Sequence, residues 1–243
     1  MTKAFPEKSA AEIKSLMNQY YAHFTDIIFE SFKQHNMNAA DIKERIKIKN
    51  PELLDRLHQE GKSIMLMISH HNNWEWFGGS LSLHTKYKVG GVYKVLKNPY
   101  FEKFLSGIRS KYGMEPVEMN LVNQYLKSIE SPSILVIASD QWPSNPDKQY
   151  WTTFLNQETS VSLGAERFAA IYELPMVFGR LSKVKRGYYE AHFEIISENP
   201  KNEPNEVLTE KYTRLLDDAI VSEPAHWIWS HRRWKKSKSD YGL

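Results

Sequence analysis

Between Gly61 and His70 the chain reads Ser63-Ile-Met-Leu-Met-Ile-Ser69, an unbroken apolar run of strand length. Such a run leaves no side for water. It suits a strand covered on both faces, as in a parallel sheet under helices. The residues after it repeat that theme. A helix is predicted over 73–87, a strand over 89–95, and a helix from Asn98-Pro99 to 112, with Asn as cap and Pro in the first turn. Next come a short strand over 116–119, a helix over 121–129 and a strand over 133–139. This β-then-α rhythm predicts an α/β chain with a mixed, mostly parallel central sheet flanked by helices.

Before the first strand, apolar residues at three- and four-residue spacings (Ile13, Met17, Tyr20, Tyr21, Phe24, Ile27, Ile28, Phe32) predict an N-terminal amphipathic helix over 10–34. A stripe of this kind more often faces a core than a membrane. A short helix follows over 51–60. Residues 140–156, rich in Pro and Trp, read as an irregular loop, and a helix over 162–173 stops at Pro175. The turn 183–187 joins strands 176–182 and 188–197 as a hairpin, which gives the sheet an antiparallel member. The last long helix is predicted over 205–222. With no linker and no internal repeat, residues 1–243 read as a single domain.

Bulk chemistry removes several classes of function. The 32 basic and 29 acidic residues leave a net charge of only +3, which gives no argument for nucleic acid. Without cysteine there is no disulfide framework, no thiol nucleophile and no thiolate metal site. No stretch reaches the roughly 18 uninterrupted apolar residues of a membrane span. The 7 tryptophans are another matter, because indoles favour boundaries between apolar and wet surroundings. Trp227, Trp229 and Trp234 stand with the basic residues Arg232, Arg233 and Lys235, and the group reads either as a lipid-interface segment or as a packed end with a charged tail.

The segment Ser69-His70-His71-Asn72-Asn73-Trp74-Glu75-Trp76 falls where a buried strand gives way to a helix. Ligands of open α/β sheets bind beyond the carboxyl ends of strands. A carboxylate on imidazole Nδ1 fixes the tautomer and favours the cation formed when Nε2 takes a proton. Glu75 is then a candidate to orient His70. One His-x4-Glu pair arises by chance in roughly every chain of this composition, so the spacing alone is weak. The bland reading is a buried histidine beside a carboxylate on a helix dipole. Metal ligation by His70, His71 and Glu75 lacks any His-Glu-x-x-His or cysteine spacing, and no metal is expected.

The run from His70 to Trp76 resembles the His-x4-Asp/Glu signature of the bacterial lipid A biosynthesis acyltransferases of the lauroyl and myristoyl transferase type. Other blocks resemble that family in order: Phe5-Pro6-Glu7-Lys8-Ser9; Asn98-Pro99-Tyr100 with Arg109, Tyr112 and Gly113; Asp140-Gln141 before Trp151 and Phe154; Gly164 to Glu166 with Pro175; and Trp229 to Lys235. The resemblance implies a glycerolipid-acyltransferase-like fold. It also implies transfer of a fatty acyl chain from acyl carrier protein or coenzyme A, as co-substrate and with no cofactor, to a hydroxyl of a lipid A precursor. His70 would be the base, Glu75 its partner and Arg109 a group for the oxyanion or a substrate phosphate. Asp140 and Gln141 would border the crevice or cap the loop, and Asn73, Arg232 and Arg233 complete the substrate-binding set. The same chemistry on an amino-acid lipid or a mannosylated phosphoinositide, or an inactive lipid- or carrier-binding module, are the alternatives. The implied partners are acyl carrier protein, a membrane lipid acceptor and the membrane surface, on the cytoplasmic face of the bacterial inner membrane. Family members begin with a membrane anchor before the Phe-Pro-Glu-Lys-Ser stretch, and this sequence starts inside that region, so a peripheral form is expected.

Overall fold

A computed structural model describes residues 1–143 and 149–241. Among the described residues nine strands run β1 (Ile46–Ile48), β2 (Ile64–Ile68), β3 (Lys88–Tyr93), β4 (Met114–Glu118), β5 (Ser133–Ala138), β6 (Gln149–Phe154), β7 (Gln157–Ser162), β8 (Met176–Lys185) and β9 (Tyr188–Ser197). Seven of them form one sheet in the order β1-β9-β8-β2-β5-β3-β4. Every pairing in it is parallel except β8 with β9, the predicted hairpin. The mixed, mostly parallel sheet is thus as the sequence requires.

The helices are α1 (Ala10–Gln34), α2 (Ala39–Arg45), α3 (Pro51–Gln59), α4 (Trp74–Ser80), α5 (Pro99–Ser110), α6 (Val122–Lys127), α7 (Gly164–Ile171) and α8 (Val207–Ser222). β2 is buried at every position, and its side chains divide between two cores. Ile64, Leu66 and Ile68 pack with Ile42 of α2, Leu54 and Leu57 of α3, and Trp76 and Phe77 of α4. Met65 and Met67 pack with Val122 of α6, Ala165 and Ala169 of α7, and Leu208, Tyr212 and Leu216 of α8. Alternate residues of a strand face opposite sides, so an all-apolar strand must have two apolar covers.

Several elements differ from the prediction. The helix expected over 73–87 ends at Ser80 and passes into a 3-10 turn at Leu81–Leu83. Residues 149–156, expected as loop, hold β6 and its turn into β7, while 144–148 of that expected loop lie outside the described residues. The turn places Leu155 and Asn156 at φ 48° and 58°, the conformation that a two-residue hairpin demands. α2 and β1 had no prediction, although Asn38 and Asp41 form a capping box there.

α1 is present over the expected residues, held at its start by a capping box between Ser9 and Glu12. Its apolar stripe does not lie wholly inward. Ile13, Tyr20 and Ile27 are buried, whereas Met17, Tyr21, Ile28 and Phe32 are exposed. The inward line also carries His23, Glu30 and Gln34, which bond to the body of the protein, so the apolar stripe is turned partly away from the core. Among the described residues no helix is long and apolar enough to cross a membrane.

Candidate active site

β2 and β5 are neighbours with Ile68 paired to Ala138, and two residues beyond each stand His70 and Asp140. The helix after β2, α4, covers one face of the sheet, and the helix reached after β5, α7, covers the other. Chain paths that part in this way open a crevice at the strand ends. There the His70 Nδ1–H donates to Asp140 Oδ1 at 2.7 Å, and the His70 backbone N–H donates to Oδ2 at 3.0 Å. The indole N–H of Trp227 also donates to Oδ2, at 2.8 Å. Asp140 is 2% exposed, so all its charge is spent inside the protein.

The electrostatics follow from that contact. Burial by itself would raise the Asp140 pKa, but the His70 charge and the hydrogen bonds from His70 and Trp227 outweigh it and bring the carboxyl to about 2. Burial pulls His70 the other way, and the charge and hydrogen bond of Asp140, followed by the charge of Glu75, leave the imidazole above its ordinary value. An ionised carboxylate on Nδ1 requires the proton on that nitrogen, so Nε2 carries the free lone pair. Gln141 Nε2 is 3.4 Å from it.

The expectation for Glu75 needs correction at this point. Glu75 shares the cavity wall with His70 but accepts two hydrogen bonds from Arg109, Nε to Oε2 at 2.9 Å and Nη2 to Oε1 at 2.6 Å. The carboxylate bonded to the imidazole is Asp140. The reason is geometric, because the first turn of α4 aims residue 75 at α5, while the parallel register of β5 delivers residue 140 to the imidazole. Burial opposes ionisation of Glu75, and the Arg109 hydrogen bonds and charge overcome it, so its pKa lies below the usual carboxylate range.

His70, Trp74, Glu75, Arg109 and Gln141 line a cavity of about 480 Å³. Its far end is apolar, with Ile68, Val136 and Met114 beside Gly78, Gly79 and Gly91. A Cβ on Gly91 would come within 2.6 Å of Met114 Sδ, so glycine keeps room there in the slot, whereas one on Gly79 would come within 3.1 Å of Gln34 Nε2, so that glycine lets α4 lie close to α1.

Other expected binding residues are committed elsewhere. Asp140 has both oxygens occupied and does not face the cavity. Asn73 is fully buried, caps α4 through Trp76 N at 2.9 Å and donates to Glu30 Oε2 at 2.6 Å. Arg233 is buried with Nη2 on Ser160 O at 2.6 Å, and Arg232 is exposed away from the cavity lining. Of the C-terminal rings, Trp227 is buried at 1% exposed, while the half-buried Trp229 and Trp234 turn their N–H groups inward, to Pro224 O and Thr159 Oγ1. Trp227 is the site residue that sequence reasoning missed, since a ring near a basic tail gives no sign that its N–H will meet a buried aspartate.

Segment 223–228 also fixes the backbone of the site loop. Asn72 N donates to His226 O at 2.9 Å and Ile228 N to His70 O at 3.1 Å. Asn72 adopts φ 56°, a left-handed conformation that asparagine tolerates, and its amide reaches Leu181 O and Glu223 Oε2. His71 Nε2–H donates to Glu223 O, and burial presses its pKa down to about 4, so it stays neutral beside the raised His70. Among the described residues no group of three His, Asp or Glu side chains is arranged to hold a metal ion.

A polarised imidazole beside a partly apolar cavity is equipped to take a proton from a hydroxyl. Proton removal of that kind serves group-transfer enzymes. The family model for bacterial lipid A biosynthesis acyltransferases matches residues 1–236, and the chain belongs to that family. It is therefore an acyltransferase of lipopolysaccharide biosynthesis. No individual curated protein matches it.

Proposed function

We propose that the protein transfers a fatty acyl chain from an acyl thioester, carried by acyl carrier protein or coenzyme A, to a hydroxyl of a lipid A precursor at the cytoplasmic face of the inner membrane. The observation that carries this reading is His70, fixed by the buried Asp140 at 2.7 Å and lining an apolar cavity. His70 Nε2 removes the hydroxyl proton as the acceptor oxygen attacks the thioester carbonyl. In the tetrahedral intermediate the carbon–sulfur bond then breaks, and the departing thiolate takes the proton from the imidazolium. Asp140 holds the ring through both steps and balances its charge, as a triad aspartate does.

Arg109 stands across the cavity with Glu75 fixing its guanidinium. It receives the oxyanion or a substrate phosphate, for which a guanidinium fork is well shaped. The slot bounded by Ile68, Gly91 and Met114 takes the acyl chain and excludes water that would hydrolyse the thioester. The reading is tested by thiol release from acyl carrier protein or coenzyme A thioesters with a lipid A precursor as acceptor. Wild type should release thiol only when the acceptor is present, and His70→Ala should lose the rate by about 10²–10⁴-fold. Wild-type turnover in His70→Ala overturns it. So does acyl transfer confined to another lipid, or carrier binding with no release of thiol.

A further inference from the structure

With Trp227, Trp229, Trp234 and Arg233 turned inward, the surface that meets lipid must be sought elsewhere. Two exposed apolar stretches stand out, and the second borders the cavity. One is the outward face of α1, where Met17, Tyr21, Ile28 and Phe32 recur at helical spacing. The other is the segment 94–101 between β3 and the first turn of α5, exposed at every position, where Tyr100 is 85% and Phe101 57% exposed. The two are bridged by α5, whose Phe104 packs on Phe32 with ring centroids 5.4 Å apart. Val95 and Leu96 of the same segment line the cavity entrance.

The charge on this surface is one-sided. Lys94, Lys97 and Lys103 are exposed, and none forms an ion pair among the described residues. The nearby carboxylate, Glu102, is held by Leu96 N at 2.7 Å, and the three lysines outnumber it. Aromatic rings surrounded by lysines match the boundary of an anionic bilayer, with rings at headgroup depth and ammonium groups among phosphates.

We infer that the outward face of α1 and the 94–101 segment form the docking surface by which the protein sits on an anionic membrane, with the cavity mouth against the bilayer. This rests on the acyltransferase reading for its purpose: a lipid acceptor would reach His70 without leaving the membrane. An acidic carrier protein would meet the lysines equally well, but it gives no reason for Tyr100 and Phe101 to stand in water.

The test uses the full chain and vesicles of phosphatidylcholine with or without phosphatidylglycerol. Wild type should co-sediment with the anionic vesicles, and a Tyr100→Ser, Phe101→Ser double variant should partition at least about tenfold less. The double variant should transfer acyl groups to a detergent-dispersed acceptor at the wild-type rate, which separates docking from chemistry. His70→Ala should bind vesicles as wild type does while losing turnover, and a wild type that binds vesicles but shows no turnover would speak against the chemistry alone. Because the chain has no cysteine, Phe101→Cys can carry a single polarity-sensitive fluorophore, with Lys211→Cys on α8 as control. A blue shift on anionic vesicles at 101 and none at 211 supports the surface assigned. Equal vesicle binding by wild type and the double variant overturns it, as does a label at 101 that responds to acyl carrier protein and not to vesicles.

Discussion

Asp140 and Glu75 stand on either side of one imidazole, the first at the end of β5 and the second in the opening turn of α4, and their surroundings differ in kind. Beneath His70 the polar atoms are paired inward, with Trp227, the site-loop backbone and segment 223–228 closing on Asp140. Toward the entrance Glu75 is held by the Arg109 guanidinium and by a hydrogen bond from Trp74, and all three side chains reach the cavity. The difference teaches that nearness to a histidine does not by itself fix a carboxylate's role. The sequence spacing selects Glu75, while the sheet register gives the contact to Asp140.

The largest effect should come from Asp140→Asn. Loss of the carboxylate that dictates the tautomer should lower kcat by about 10³–10⁴-fold, as a triad aspartate implies. The pH profile gives a second readout. His70 is held above its ordinary value by Asp140, so wild-type activity should fall as pH drops through a point above the free imidazole pKa. In Asp140→Asn the residual activity should persist to lower pH, and a kcat/KM profile with an unmoved acid limb would break the assignment.

Glu75→Gln should cost less, about 10–100-fold in kcat/KM, the range for loss of a hydrogen bond to a charged group. Its acid limb should move the same way but by less, because its charge acts on His70 more weakly than that of Asp140. Steady-state kinetics across pH would reverse the comparison if Glu75→Gln moved the limb farther. The smallest effect on rate belongs to Trp227→Phe, which removes one donor from Asp140 while keeping an aromatic ring in the core. Urea unfolding should show a loss of about 1.5–3 kcal/mol, the value of a hydrogen bond to a charged group. An unchanged midpoint would mean that the indole N–H contributes nothing.

Much of the architecture was legible because apolar runs and caps report burial directly. Ser63 to Ser69 could only be a doubly covered strand, and Asn98-Pro99 opens α5 with Asn98 Oδ1 accepting from Tyr100 and Phe101. The β6–β7 hairpin was hidden because its turn uses Leu155-Asn156 in place of Asn-Gly, the pair that marks such a turn most clearly. The periodicity of α1 gave a helix but not its rotation about its own axis, which polar His23, Glu30 and Gln34 decide through partners distant in sequence. Within the site, His70 stood out from its place at a strand end. The Asp140 contact needs the pairing of β2 with β5 across 70 residues, and that pairing is a property of the folded sheet.

Segment 223–228 follows every strand of the sheet, yet it supplies the Trp227 ring to Asp140 and backbone groups that bracket His70 and Asn72. His70 therefore owes its surroundings to a stretch of chain far from it in sequence as much as to the strand that carries it. Loosening of that stretch alone, with the sheet intact, would release the carboxylate and the loop that together orient the imidazole.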